Sequence, residues 1–185
     1  MRQFLALVTF FAMSLGLTGC ATRYTAYFDA APNGPYTLAS GDRLRVIVFG
    51  QDSLSNSYAV DGSGNIAMPL IGVVRAQGLT TTGLQHVVEA KLRDGFLREP
   101  RVSVEVEAFR PFFVLGEVTT PGQYPFVAGM TVQMAVAIAG GYTPRAFKED
   151  ADLTRNVEGQ PLVGRVPMTQ PVHPGDTITI RERYF

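Results

Sequence analysis

Residues 101–107 read Arg-Val-Ser-Val-Glu-Val-Glu. Only a half-buried β-strand puts Val102, Val104 and Val106 on one face and Ser103, Glu105 and Glu107 on the other. A second stretch, Leu44 to Phe49, has Leu44, Val46 and Val48 in alternation. Ile47 and Phe49 make that strand apolar on both faces. The 12 prolines and 19 glycines are spread along the chain instead of clustered. That spacing supplies turns to many short strands and argues against a helical bundle. With 185 residues, 46% of them apolar, the chain is long enough for a real core and for one domain or two small ones.

The same reading extends along the chain. Tyr58–Val60 and Ile66–Met68 flank Asp61-Gly-Ser-Gly-Asn65, which predicts a β-hairpin. Thr80 can cap a helix over 80–92, whose Leu84, Val87, Val88 and Leu92 recur at three- and four-residue spacing. One β-rich domain closes near residue 108. A second opens with a strand at Phe112–Leu115 and a type II turn at Thr120–Gln123, with Pro121 and Gly122 at its centre. Thr131 can cap a short apolar helix that Gly140 and Gly141 end. Strands near 152–155, 162–166 and 177–183 complete the set, the last expected to run to the end of the chain. The expected class is α+β: two small β-rich domains, the second β-grasp-like.

Before residue 36 the pattern is different. Arg2 precedes an uncharged apolar run from Phe4 to Leu17, followed by Thr18, Gly19 and the single cysteine, Cys20. The run is too short for a confident membrane span and has the three-part layout of a secretory signal, here residues 1–19. The small residues before Cys20 resemble the lipobox of bacterial lipoproteins, which implies that Cys20 is acylated and becomes the mature N-terminus. Ala21 in place of aspartate implies, by the same resemblance, sorting to the outer membrane. Residues 20–35, ending in Pro-Asn-Gly-Pro, read as a tether. Cleavage before Cys20 removes Arg2 alone among the charges and leaves acids and bases nearly balanced. Such a chain has no general field for nucleic acid.

No motif for bond chemistry appears. The loop Asp61–Gly72 has Ile66 where a calcium loop needs glycine and Gly72 where it needs a bidentate glutamate. Gly140-Gly141 lacks the lysine of a phosphate loop, and no Gly-x-Ser-x-Gly occurs. His86 and His173 are the only histidines, one in a helix and one in a loop, without metal-ligand spacing. Carboxylates are plentiful, but sequence assigns no pair of them to a shared cleft. No catalytic residue, metal or cofactor is expected. Gly41-Asp42 and Gly175-Asp176 each precede a strand, and both carboxylates are expected to accept backbone N–H bonds and fix a turn.

Four stretches carry a resemblance: YTLASGDRLRVIVFG with the residues through Thr80, then EPRVSVEVEAF, FFVLGEVTTPGQYPFVAGMTVQMAVAIAGGYTPRA, and HPGDTITIRERYF. In this order they resemble Wza-like outer-membrane polysaccharide export proteins, over nearly all of 36–185. The resemblance implies a polysaccharide-export domain at 36–108 followed by one soluble-ligand-binding β-grasp (SLBB) domain at 109–185. It implies a lipid-anchored protein on the periplasmic side of the outer membrane and a homo-oligomeric ring. It further implies an inner-membrane polysaccharide co-polymerase as partner and a capsular or exopolysaccharide as ligand. Larger relatives continue into an amphipathic helix that crosses the membrane. None follows Phe185 here, so a separate outer-membrane barrel is expected to complete the route.

Within that frame, Arg181 and Arg183 fall on one face of the closing strand, and Arg43 and Arg45 form a similar pair. Each pair either meets water or faces a lumen or neighbouring subunit, where guanidinium groups can hold carboxylated sugars. Tyr24, Tyr27 and Tyr36 either stack on sugar rings or pack locally. The alternative to a ring subunit is a monomeric periplasmic lipoprotein that binds or senses a glycan; an enzyme acting on the polymer comes third.

Overall fold

In the computed structural model, which describes residues 35–157 and 159–183, the chain forms two adjoining α+β bodies, each with its own apolar core. Cys20, the signal segment, Tyr24 and Tyr27 lie outside the described residues.

The first body is built on β1 (Arg43–Val48), the centre of an antiparallel sheet between β2 (Asn56–Ala59) and β5 (Val102–Ala108). Leu44, Val46 and Val48 are buried, as are Val102 and Val104 opposite them. Helix α1 (Thr81–Arg93) covers this face with Leu84, Val88 and Leu92. Thr80 caps it by accepting the Gly83 N–H at 3.0 Å, which satisfies one of the unpaired donors of the first turn.

Asp61–Asn65 does form a tight turn: Asp61 Oδ1 accepts the Ser63 and Asn65 N–H groups at 2.8 and 2.9 Å. It is not the loop of a hairpin between its flanking strands, however. β2 pairs with β1, whereas β3 (Asn65–Met68) pairs with β4 (Gly72–Arg75). Ile66, Met68 and Val74 are buried in the same core as β1, and reaching it turns the chain out of the first sheet. β4 was not legible because it buries Val74 and exposes Val73, too short a pattern to show a period.

The second body is a five-stranded mixed sheet in the order β7 (Gly122–Tyr124), β6 (Phe112–Gly116), β10 (Thr177–Ile180), β8 (Asp150–Val157), β9 (Gln160–Pro167). The first and last strands, β6 and β10, are parallel neighbours at the centre. Helix α2 (Val132–Ile138) packs Val132, Ala135 and Val136 into the same core as Phe112, Val114, Leu153 and Ile178. This is the α+β arrangement expected for the second body.

Two local expectations fail here. Gly122 is not the left-handed centre of a type II turn: it lies in β7, paired with Val114, while the positive φ of 82° falls at Gly116. The loop after Gly116 is instead held by the end of α2, where the Thr119 and Thr120 N–H groups donate to Gly141 and Ala139 carbonyls, both at 2.9 Å. Those carbonyls would otherwise be orphans of the helix terminus. Gly140 and Gly141 follow that terminus with φ of 82° and 86°.

The closing strand also stops earlier than its alternation suggests. β10 ends at Ile180, where the Glu117 N–H takes its carbonyl. Beyond it the chain pairs with the 145–147 loop, Phe147 N–H donating to Arg181 O and Arg183 N–H to Arg145 O. Among the described residues no helix is long and apolar enough to cross a membrane.

Candidate functional site

The two Gly-Asp stretches build the same turn. The Asp42 N–H donates to Ala39 O and the Asp176 N–H to His173 O, each at 3.1 Å. Gly41 and Gly175 stand at the third position with φ of 93° and 86°, as a type II turn requires, and Pro174 takes the second position of the later turn. Both carboxylates close back on the turn: Asp42 Oδ2 accepts the Ala39 N–H at 2.9 Å, and Asp176 Oδ2 accepts the His173 N–H at 2.7 Å.

Each buried aspartate has a further cation. Asp176 is held by Arg155 at 2.9 and 2.7 Å in a two-pronged pair, the geometry that gives guanidinium–carboxylate contacts most of their strength. Asp42 reaches across to the second body. Its Oδ1 accepts the Arg110 N–H at 2.9 Å, its Oδ2 accepts the Tyr36 hydroxyl at 2.6 Å, and Arg110 Nη1 stands 3.7 Å away. Arg110 Nη1 also donates to Tyr36 Oη at 3.0 Å. Burial, followed by the hydrogen bond to Asp42, holds the Tyr36 phenol well above its usual pKa.

Around this knot lies a pocket of about 390 Å³, lined from both bodies. Tyr36 stands edge-on to Phe109, with ring centroids 4.9 Å apart, and Phe109 edge-on to Phe126 at 5.4 Å. Arg110 and His173 are its ionisable basic groups. Burial lowers the His173 pKa; the Arg155 charge adds to this, Asp176 opposes it, and Arg110 lowers it further. Sequence reasoning missed Arg110, Phe109 and Phe126. Arg-Pro between two strands reads only as a linker, and the twin Gly-Asp phrases were the one available hint that something sits between them.

The other basic candidates separate. Arg43 and Arg45 are exposed on the outer face of β1, with no ion pair among the described residues. Arg181 is tied to Asp150, lies 3.5 Å from Asp152 and covers the Phe147 ring at 4.9 Å. Its position on a solvated strand face therefore does not hold, because β10 has already ended. Arg183 is exposed after that strand. Pro121 is exposed in the loop before β7. His86 is 3.7 Å from Glu89 on the outer side of α1. No cluster of three or more histidine, cysteine or acidic residues that could hold a metal occurs among the described residues.

Two bodies meet at this site, and comparison with known proteins divides the chain in the same way. Residues 30–107 match the family described as polysaccharide biosynthesis/export protein, and residues 111–166 match the SLBB domain. The chain belongs to the Wza-like polysaccharide export family, in the form with one export domain and one SLBB domain. It is 33% identical over 144 residues to the exopolysaccharide production protein ExoF of Rhizobium meliloti, covering 68% of this chain and 34% of that one. It is 28% identical to the polysialic acid transport protein KpsD of Escherichia coli, over 60% of this chain and 20% of that protein. A third relative is the EPS I polysaccharide export outer membrane protein EpsA of Ralstonia nicotianae, 28% identical over 80% of this chain and 48% of its own length. The chain thus spans from a fifth to a half of the relatives it matches.

Proposed function

We propose that this protein is a non-catalytic lipoprotein component of polysaccharide export, held through Cys20 on the periplasmic side of the outer membrane of a Gram-negative bacterium. Subunits assemble into a ring that encloses a polar passage and dock on an inner-membrane co-polymerase. The observation that carries this reading is the export domain followed directly by an SLBB domain, in a chain whose relatives are named for polysaccharide transport and production. The outer-membrane designation of one relative supports the location.

The physical case is that a hydrated polymer needs a corridor, not bond chemistry. A rigid joint between two bodies lets identical subunits repeat at a fixed angle, as closure of a ring demands. The Asp42–Arg110 contact is such a joint. Open basic side chains such as Arg43 and Arg45 are then available to line a passage or meet a neighbour.

A second reading, a monomeric glycan-binding lipoprotein, is favoured by the junction pocket itself. Deleting the gene in its own organism and measuring surface polysaccharide tests export, with rescue expected from the intact gene and not from Cys20→Ser. The native mass of the acylated protein, extracted gently from its membrane, separates the two readings: a ring-sized assembly supports the first and a monomer the second.

A further inference from the structure

The pocket between the two bodies has a composition that favours one kind of occupant. Its volume of about 390 Å³ lies within the range that holds small ligands. Three aromatic side chains, Tyr36, Phe109 and Phe126, contribute apolar surface of the sort that packs against the C–H face of a sugar ring. The lining includes an arginine and a histidine and no carboxylate. Asp42 sits behind this lining, completely buried and already receiving three hydrogen bonds.

Arg110 is only partly engaged. Its Nη1 serves Tyr36 and Asp42 and its Nε packs against Gly175, while Nη2 donates to nothing among the described residues. A guanidinium N–H of this kind gives a carboxylate a charge-assisted hydrogen bond. The aromatic surface selects a ring with an apolar face, and the charge selects an acid.

We propose that the junction pocket is a subsite for an acidic sugar residue, its ring against the aromatic side chains and its carboxylate on Arg110. The inference rests on the export reading for the source of that residue, which is the exported polymer. A ligand there touches both bodies at once, so occupancy reports polymer to the joint that sets their relative placement.

The test titrates the full acylated protein in detergent with a short oligogalacturonide and with a neutral malto-oligosaccharide of equal length, followed by ligand-observed NMR. The acidic oligosaccharide is expected to bind, and the neutral one about tenfold more weakly or not at all, because the charged pair is lost. Arg110→Met removes the charge, and is expected to weaken acidic binding about tenfold. Thr37→Glu, at an exposed position on the pocket rim, leaves Arg110 and its contacts in place and is expected to repel the acid equally. Equal binding of both oligosaccharides, no binding of either, or acidic binding unchanged in both variants overturns the subsite. If it falls while gene deletion still removes surface polymer, the export reading stands without it. If deletion leaves surface polymer untouched, the export reading fails and the polymer as occupant with it.

Discussion

Gly41 and Gly175 close on the same side chain: a Cβ on Gly41 would lie 3.3 Å from Arg110 Cβ, and one on Gly175 would lie 2.8 Å from Arg110 Nε. The two turns, one before the first strand and one before the last, are thereby locked to one residue of the linker. The Gly175 N–H completes the lock by donating to Pro111 O at 3.0 Å.

Asp42→Asn should destabilise the protein by about 2 kcal/mol, because an amide must present N–H to one of the N–H or O–H groups that now donate to Asp42. Asp176→Asn should cost more, about 3 kcal/mol, since it breaks a two-pronged pair in which both partners are largely buried. Urea unfolding followed by circular dichroism measures both, and equal effects would mean that the Arg155 pair contributes no more than the Arg110 contact.

Gly116→Ala and Gly50→Ala share a positive φ, 82° and 74°, but differ in surroundings. A Cβ at Gly50 meets nothing within 4 Å, whereas one at Gly116 runs into the carbonyl of Ile180 across the parallel pair. Gly50→Ala should cost about 1 kcal/mol of backbone strain and Gly116→Ala about 3 kcal/mol or more. Thermal unfolding of the two variants gives the difference directly.

His173 makes stability depend on pH with a definite sign. Its native pKa lies below the ordinary value of 6.5, chiefly through burial, so the unfolded chain binds the proton more readily. The contribution is complete above the unfolded value and is lost as pH falls from there through the lowered native value. His173→Asn should therefore flatten the decline of the unfolding midpoint over that interval; an unchanged slope would assign it to other groups.

Arg43 and Arg45 should matter to function without mattering to the fold. Replacing both with alanine is expected to change stability by no more than about 0.5 kcal/mol, as for exposed sites with no ion pair among the described residues, while lowering surface polysaccharide. Arg181→Ala should do the opposite to stability, costing about 1–3 kcal/mol by leaving Asp150 and Asp152 with only the more distant, exposed Arg165. Unfolding curves beside polymer assays on the same variants separate the two roles.

What the sequence determined by itself is what short-range physics encodes. Val102 and Val104 show their strand through a period of two, Leu84, Val88 and Leu92 show their helix through a period of three to four, and Thr80 and Thr131 mark helix starts by hydrogen bonds three residues long. The Gly-Asp turns were legible for the same reason, since each carboxylate bonds within its own turn. Tertiary structure alone decided the rest. Asp61–Asn65 became a corner because β2 and β3 have better partners elsewhere, and Gly122 joined a strand because α2 holds the preceding loop. Arg181 left its expected face because Asp150 and Asp152 wait beyond the end of β10. Arg110 drew no notice because its role depends on groups up to 74 residues away, and no local pattern records which distant surfaces will meet.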